Sequence, residues 1–208
     1  MRCTAHADDS KEDSMETTKR RMPTGTLVLA AVLTALVIIL QFMGTFIRFG
    51  PFAISLVLIP IVIGAATCGV KVGVWLGFVF GVVVLLSGDA AAFLAVNIPG
   101  TVITVLVKGA ACGLMAGLIY RALEKYNRYA AVAAAAIVCP LVNTGVFLLG
   151  CALFFLDTIR SWGAAAGFEG SLQYMLLGLV GGNFLFELGS NIVLSPVIVR
   201  LLNLGKRK

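Results

Sequence analysis

The chain has 208 residues, of which 60% are hydrophobic and 12% charged, and its formal net charge is +6. A soluble domain carries about a quarter charged residues, so this composition excludes a water-soluble globule as the main body. The basic residues stand at the ends of apolar runs, not among aromatics, which suits lipid headgroups and membrane topology and argues against nucleic acid.

Taken in chain order, residues 1–23 are polar and of mixed charge, from Asp8 to Arg21. They are expected to form a cytoplasmic tail, since they are too long and acidic for a cleaved signal peptide. The transmembrane domain is expected over 24–203, with a basic cytoplasmic end over 204–208. The first apolar run spans 24–46 and has no charge. A loop follows over 44–52, broken by Gly50-Pro51. The second run covers 52–67, with Pro60 as a kink. A tight turn at 68–71 leads to the third run, 72–86. These two runs are short for a full crossing. Residues 87–97 read as a loop with room for a helical turn, 99–123 as the fourth run, and 129–155 as the fifth. Residues 157–170 read as a polar, Gly/Ala-rich loop, and 172–202 as the sixth run.

A bilayer crossing needs roughly 20 apolar residues. Lipid offers the backbone no hydrogen-bond partners, so spans must be helices or barrel strands. The runs do not alternate apolar and polar, which argues against a barrel. The expected fold class is therefore an all-α membrane protein, a six-transmembrane-helix bundle with both termini cytoplasmic. That orientation places Lys19, Arg20, Arg21, Lys71, Arg121, Lys125, Arg128, Arg200, Lys206, Arg207 and Lys208 inside, and only Arg48 and Arg160 outside. Basic residues favour the cytoplasmic side, and the asymmetry supports an even number of crossings.

Catalytic and metal chemistry has little to stand on. The single histidine, His6, lies in the tail, and the five cysteines (Cys3, Cys68, Cys112, Cys139, Cys151) form no C-x-x-C pair. P-loop, H-E-x-x-H and G-x-S-x-G motifs are absent. The expectation is no enzyme, no cofactor and no metal site.

Two other patterns carry more. Gly69, Gly73, Gly77 and Gly81 recur every fourth position, as do Gly109, Gly113 and Gly117, and Ala31 and Ala35 share the spacing. Such stripes let helices approach closely, either within the bundle or against another subunit. The second pattern is polar groups in the apolar runs: Lys108, Asn143, and Asn183 with Glu187 and Asn191 on one helical stripe. A charge at bilayer depth costs roughly 2.5–3.5 kcal/mol on insertion scales, so these should face inward. Three readings stay open: a structural Lys108–Glu187 ion pair, a patch that binds a polar solute, and a proton relay. In the outer loops, Arg48, Asp89, Phe93, Asn97, Asp157, Arg160, Trp162, Phe168 and Tyr174 read either as interface anchors or as an aromatic lid.

Several of these segments together resemble the substrate-binding S component of energy-coupling factor (ECF) vitamin transporters. They are the A-x-x-x-A run Ala31-Val32-Leu33-Thr34-Ala35; Ile54 to Ala65, followed by Gly69, Gly73 and Gly77-Phe78-Val79-Phe80-Gly81; Asn143-Thr144-Gly145-Val146-Phe147; and Asn183, Glu187, Asn191 and Pro196. The resemblance covers about 24–203 and looks nearest to the riboflavin/pantothenate type. It implies capture of a vitamin-like micronutrient from outside. It also implies docking through Ala31 and Ala35 onto a transmembrane coupling subunit driven by two cytoplasmic ATPase subunits. Carried over residue by residue, it selects Lys108, Asn143, Asn183 and Glu187 as solute-binding, with Asn97, Arg48 and Trp162 from the loops. Lys108 would suit a carboxylate. A stand-alone proton-coupled carrier of small solutes is the alternative. A lipid-acting enzyme lacks a nucleophile, and a purely structural subunit would bind no solute.

Overall fold

The computed structural model describes residues 23–46, 48–49, 52–53 and 56–205. The expected tail over 1–22 and the basic residues 206–208 lie outside them. Side chains of residues 45–55, Arg48 among them, also lie outside the description.

The protein is built of helices: α1 (Thr24–Phe46), α2 (Leu58–Cys68), α3 (Val70–Leu86), α4 (Ala91–Leu94), α5 (Ile98–Leu123), α6 (Arg128–Phe154), α7 (Leu156–Ala165), α8 (Ser171–Gln173), a π-helical stretch (Tyr174–Gly181) and α9 (Gly182–Gly205). A two-residue antiparallel pair, β1 (Arg48–Phe49) with β2 (Phe52–Ala53), joins α1 to α2. Among the described residues, four segments are long and apolar enough to cross a membrane: Thr24–Gly44, Ile98–Leu123, Arg128–Phe154 and Ser171–Arg200. Leu58–Cys68 and Val70–Leu86 are shorter apolar helices.

Helix ends follow from local chemistry. Asn97 caps α5, its Oδ1 accepting from the Gly100 amide at 3.0 Å, and Pro99 sits in the first turn where no N–H is needed. Asn127 caps α6 by accepting from the amides of Tyr129 and Ala130 at 2.9 and 3.3 Å. Gly69, at φ +91°, makes the reversal between α2 and α3, a conformation that side chains resist.

The core is held by backbone proximity. α3 packs on α5, and α5 on α6, as the two largest interfaces. In the first, Gly73 faces Gly113, Gly77 faces Gly109, and Gly81 faces the Val105 carbonyl, an antiparallel register. A Cβ at Gly73 would lie 2.8 Å from the Gly113 carbonyl oxygen, and one at Gly77 would overlap that of Gly109. The two glycine stripes thus serve packing within the bundle. Around this seam the buried core gathers Leu58, Ile61 and Val62 from α2, Leu76 and Phe80 from α3, and Val132 and Ala135 from α6. The outer surface is apolar as well: Leu153 is 76% exposed, Val193 73% and Leu27 61%. Such a surface suits lipid, not water.

Four sequence expectations need correction. The second run does not start at 52: Phe52–Ala53 is a strand and the helix begins at Leu58. Pro60 therefore falls in the first turn of α2, where it fits without a kink. The stretch expected as a polar loop after residue 157 forms α7, which buries Ile159 and Gly163 and exposes the Asp157–Arg160 pair. A glycine- and alanine-rich composition conceals that amphipathic spacing. Gly69 also leaves the packing stripe, because its side meets open space in the turn.

Candidate functional site

A cavity of about 260 Å³ lies between the core and a smaller outer cluster of Cys151, Phe155, Ile159 and Met175. α5 contributes Thr101, Thr104 and Lys108 to its wall, and α6 contributes Asn143, Thr144 and Phe147. The last span adds Val180, Asn183 and Glu187, with Gln41 from α1 and Asp89 and Phe93 from the α3–α5 connection. The four intramembrane residues singled out by cost, Lys108, Asn143, Asn183 and Glu187, therefore border one space.

Their local order is specific. The Glu187 carboxylate accepts from Asn143 Nδ2 at 3.5 Å and from Asn183 Nδ2 at 3.4 Å. Glu187 is 3% exposed and Asn143 6%. Both amides spend their N–H side on the carboxylate, and their oxygens, Asn143 Oδ1 and Asn183 Oδ1, are buried without a hydrogen-bond partner. Burying an unmatched acceptor costs about 1–3 kcal/mol, so the arrangement is poised to receive donors. Asn191, on the same stripe, is 1% exposed but does not border the cavity.

Lys108 sits against aromatic rings, with Glu187 acting on it from beyond ion-pair distance. Its Nζ lies 5.2 Å from the Phe147 ring centroid and 5.6 Å from that of Phe80. Ring faces carry negative potential and attract a desolvated ammonium. Elsewhere in the lining, Gln41 Nε2 donates to Asp89 Oδ2 at 2.5 Å, tying α1 to the turn after α3. The Thr101 and Thr104 hydroxyls donate to the carbonyls of Asn97 and Gly100 at 2.7 Å, which leaves their lone pairs for the cavity.

Aromatic rings close one end. Phe93 on α4 meets Phe147, Phe155 and Trp162 edge to face, with centroids 5.6, 5.1 and 5.5 Å apart. Trp162, on α7, backs Phe93 and does not itself border the cavity. Asn97 is the α5 cap and stands behind Thr101, also outside the lining. Arg48 lies on β1, and its side chain falls outside the description.

Sequence reasoning passes over Gln41, Thr101, Thr104 and Phe147. Thr101 and Thr104 precede Lys108 by seven and four positions, so one face of α5 carries all three. That spacing is a usable signal. Gln41 follows the buried Leu33 and Val37 at the same interval.

The last span is unusual in its winding. Tyr174–Gly181 is π-helical, and α9 continues directly from it. π-Helical turns are rare and occur often at functional sites. The wider turn changes which faces of the following helix look inward, and Asn183 begins two residues later.

A multi-span helical membrane protein with a chamber at mid-helix depth lined by both polar and aromatic residues is, as a class, suited to holding a small solute. Residues 25–199 match the family described as "ECF transporter, substrate-specific component", and the chain belongs to that family. The family supplies the solute-binding component of membrane transporters and is not an enzyme family, so a small-molecule substrate and membrane partners of the ECF module come with membership. No curated protein matches the chain.

Proposed function

We propose that this protein captures a vitamin or related micronutrient from outside the cell membrane and releases it inward. It does so together with a transmembrane coupling subunit and two cytoplasmic ATPase subunits. The observation that carries this reading is the single cavity bordered by Lys108, Asn143, Asn183 and Glu187 from three long apolar helices.

In this reading the domain over 24–203 crosses six times, through α1, α2, α3, α5, α6 and the composite span α8 to α9. Both termini, 1–23 and 204–208, are cytoplasmic. α2 is 11 residues long, about 17 Å of helix, so it reaches the far interface only with the help of the β1–β2 connection. Lys71, Arg121, Lys125, Arg128 and Arg200 support the orientation, since they gather at one end of the spans. The solute enters at the Phe93–Trp162 end, touches Lys108, Asn143, Asn183 and Glu187, and is shielded by the loops that carry Arg48, Asn97 and Trp162. α1 docks on the coupling subunit through Ala31 and Ala35.

The test is a thermal-shift screen of the purified protein against vitamins and their precursors. Ligand that binds only the native state raises stability with the logarithm of its concentration over Kd. Asn183→Ala and Glu187→Ala should each weaken binding by more than about tenfold, the equivalent of ~1.4 kcal/mol. Unchanged affinity in both variants would remove the last span from the site.

A further inference from the structure

We infer that the solute is a small carboxylate with N–H or O–H donors at its other end, bound with the carboxylate at Lys108. The inference rests on the solute-capture reading above and specifies what the cavity takes. Three observations carry it.

The first is charge. The cavity has one basic group, Lys108, and among the described residues its ammonium rests on two aromatic rings with no carboxylate at ion-pair distance. Ring faces offset only part of the desolvation of an ammonium. The two acidic groups act on Lys108 from beyond ion-pair distance, while the amides of Asn143 and Asn183 donate to Glu187 and that of Gln41 to Asp89. Of the charged groups in the lining, only Lys108 attracts an anionic guest.

The second is the direction of the unfilled hydrogen bonds. Asn143 Oδ1 and Asn183 Oδ1 are both acceptors, buried and unmatched. They stand beside the Glu187 carboxylate, so that wall presents two unmatched acceptors to a guest, while each amide keeps one N–H beyond its bond to Glu187. It calls for hydroxyl, amide N–H or ammonium donors. The chamber thus offers a guest both a cation and buried acceptors.

The third is size. A chamber of about 260 Å³ is of the size that holds a small organic molecule. Phe93, Phe147 and Phe155 give it an apolar wall. A large, uncharged fused-ring solute leaves Lys108 without a counter-charge.

The experiment is a binding screen in which each acid is paired with its neutral counterpart: pantothenate with panthenol, nicotinate with nicotinamide, biotin with biotinamide. Hexanoate and benzoate serve as carboxylates without donors, and riboflavin as a large neutral ring system. The expected result is that an acid with donors binds at least about tenfold more tightly than its neutral partner and than the donor-free acids. Lys108→Met should lose that acid preference while the unliganded protein stays as heat-stable as wild type or gains stability, because an uncompensated buried cation has been removed. Lys108→Arg should retain part of the preference. Tighter binding of a neutral member or of riboflavin, or an acid preference that survives Lys108→Met, overturns the carboxylate assignment and leaves solute capture standing. A folded protein that binds nothing in the screen or in a broader vitamin collection overturns both.

Discussion

Leucine in place of Gly109 is expected to abolish the folded bundle, and alanine at Gly77 to weaken it sharply. A Cβ at either position would overlap the backbone carbonyl of the other. The obstacle is main chain on both sides, so no side chain can rotate away. Overpacking a core costs typically ~1–3 kcal/mol, and Leu adds three more carbons to a gap that has no room for one. The α3–α5 seam also places Lys108 one residue before Gly109, so any separation of these helices displaces the cavity wall. Thermal unfolding in detergent, with size-exclusion profiles, reads the effect. Gly145→Ala is the control: nothing lies within 4 Å of its added Cβ, and alanine is the better helix former. Gly109→Leu with wild-type stability would contradict the seam.

The second large effect concerns transport without binding. Ala31 and Ala35 lie on the exposed face of α1, opposite the buried Leu33, Val37 and Gln41. Val28, Val32, Ile39 and Met43 extend an apolar surface around them. Trp75 of α3 borders this face, its Nε1 donating to Thr34 Oγ1 at 3.3 Å. Small residues on an exposed helix face permit close approach of a partner helix. Ala31→Trp combined with Ala35→Trp should therefore abolish uptake while leaving solute affinity within about twofold, well under the tenfold that ~1.4 kcal/mol would give. Retained uptake would remove this face from the partner contact. Uptake that persists after ATP depletion and follows the proton gradient would favour a stand-alone carrier.

Much of this architecture is legible in the amino-acid sequence. The glycine stripes announce close helix contact because spacing alone places them on one face. They do not announce the partner, and α3 against α5 answers that. Lys108, Asn143, Asn183 and Glu187 are conspicuous because each is costly in hydrocarbon. Their being neighbours is a tertiary fact that no spacing within one helix contains. A Lys108–Glu187 pair is a natural expectation, since opposite charges at similar depth suggest contact. The aromatic seat of Lys108 depends instead on Phe80 and Phe147 from two other helices. The start of α2 is hidden because the chain from Ile54 to Val57 is as apolar as the helix it precedes. The π-helical stretch leaves no mark in composition.

The central claim is that the chamber holds a guest that the protein carries. Native mass spectrometry of the protein, released from detergent after exposure to a small-molecule extract of cells, measures this without knowing the solute. The account predicts one small molecule per chain on the wild type, and a much weaker adduct on folded Asn183→Ala and Glu187→Ala. An empty wild-type protein that is fully folded, or an adduct equally abundant on both variants, would contradict it.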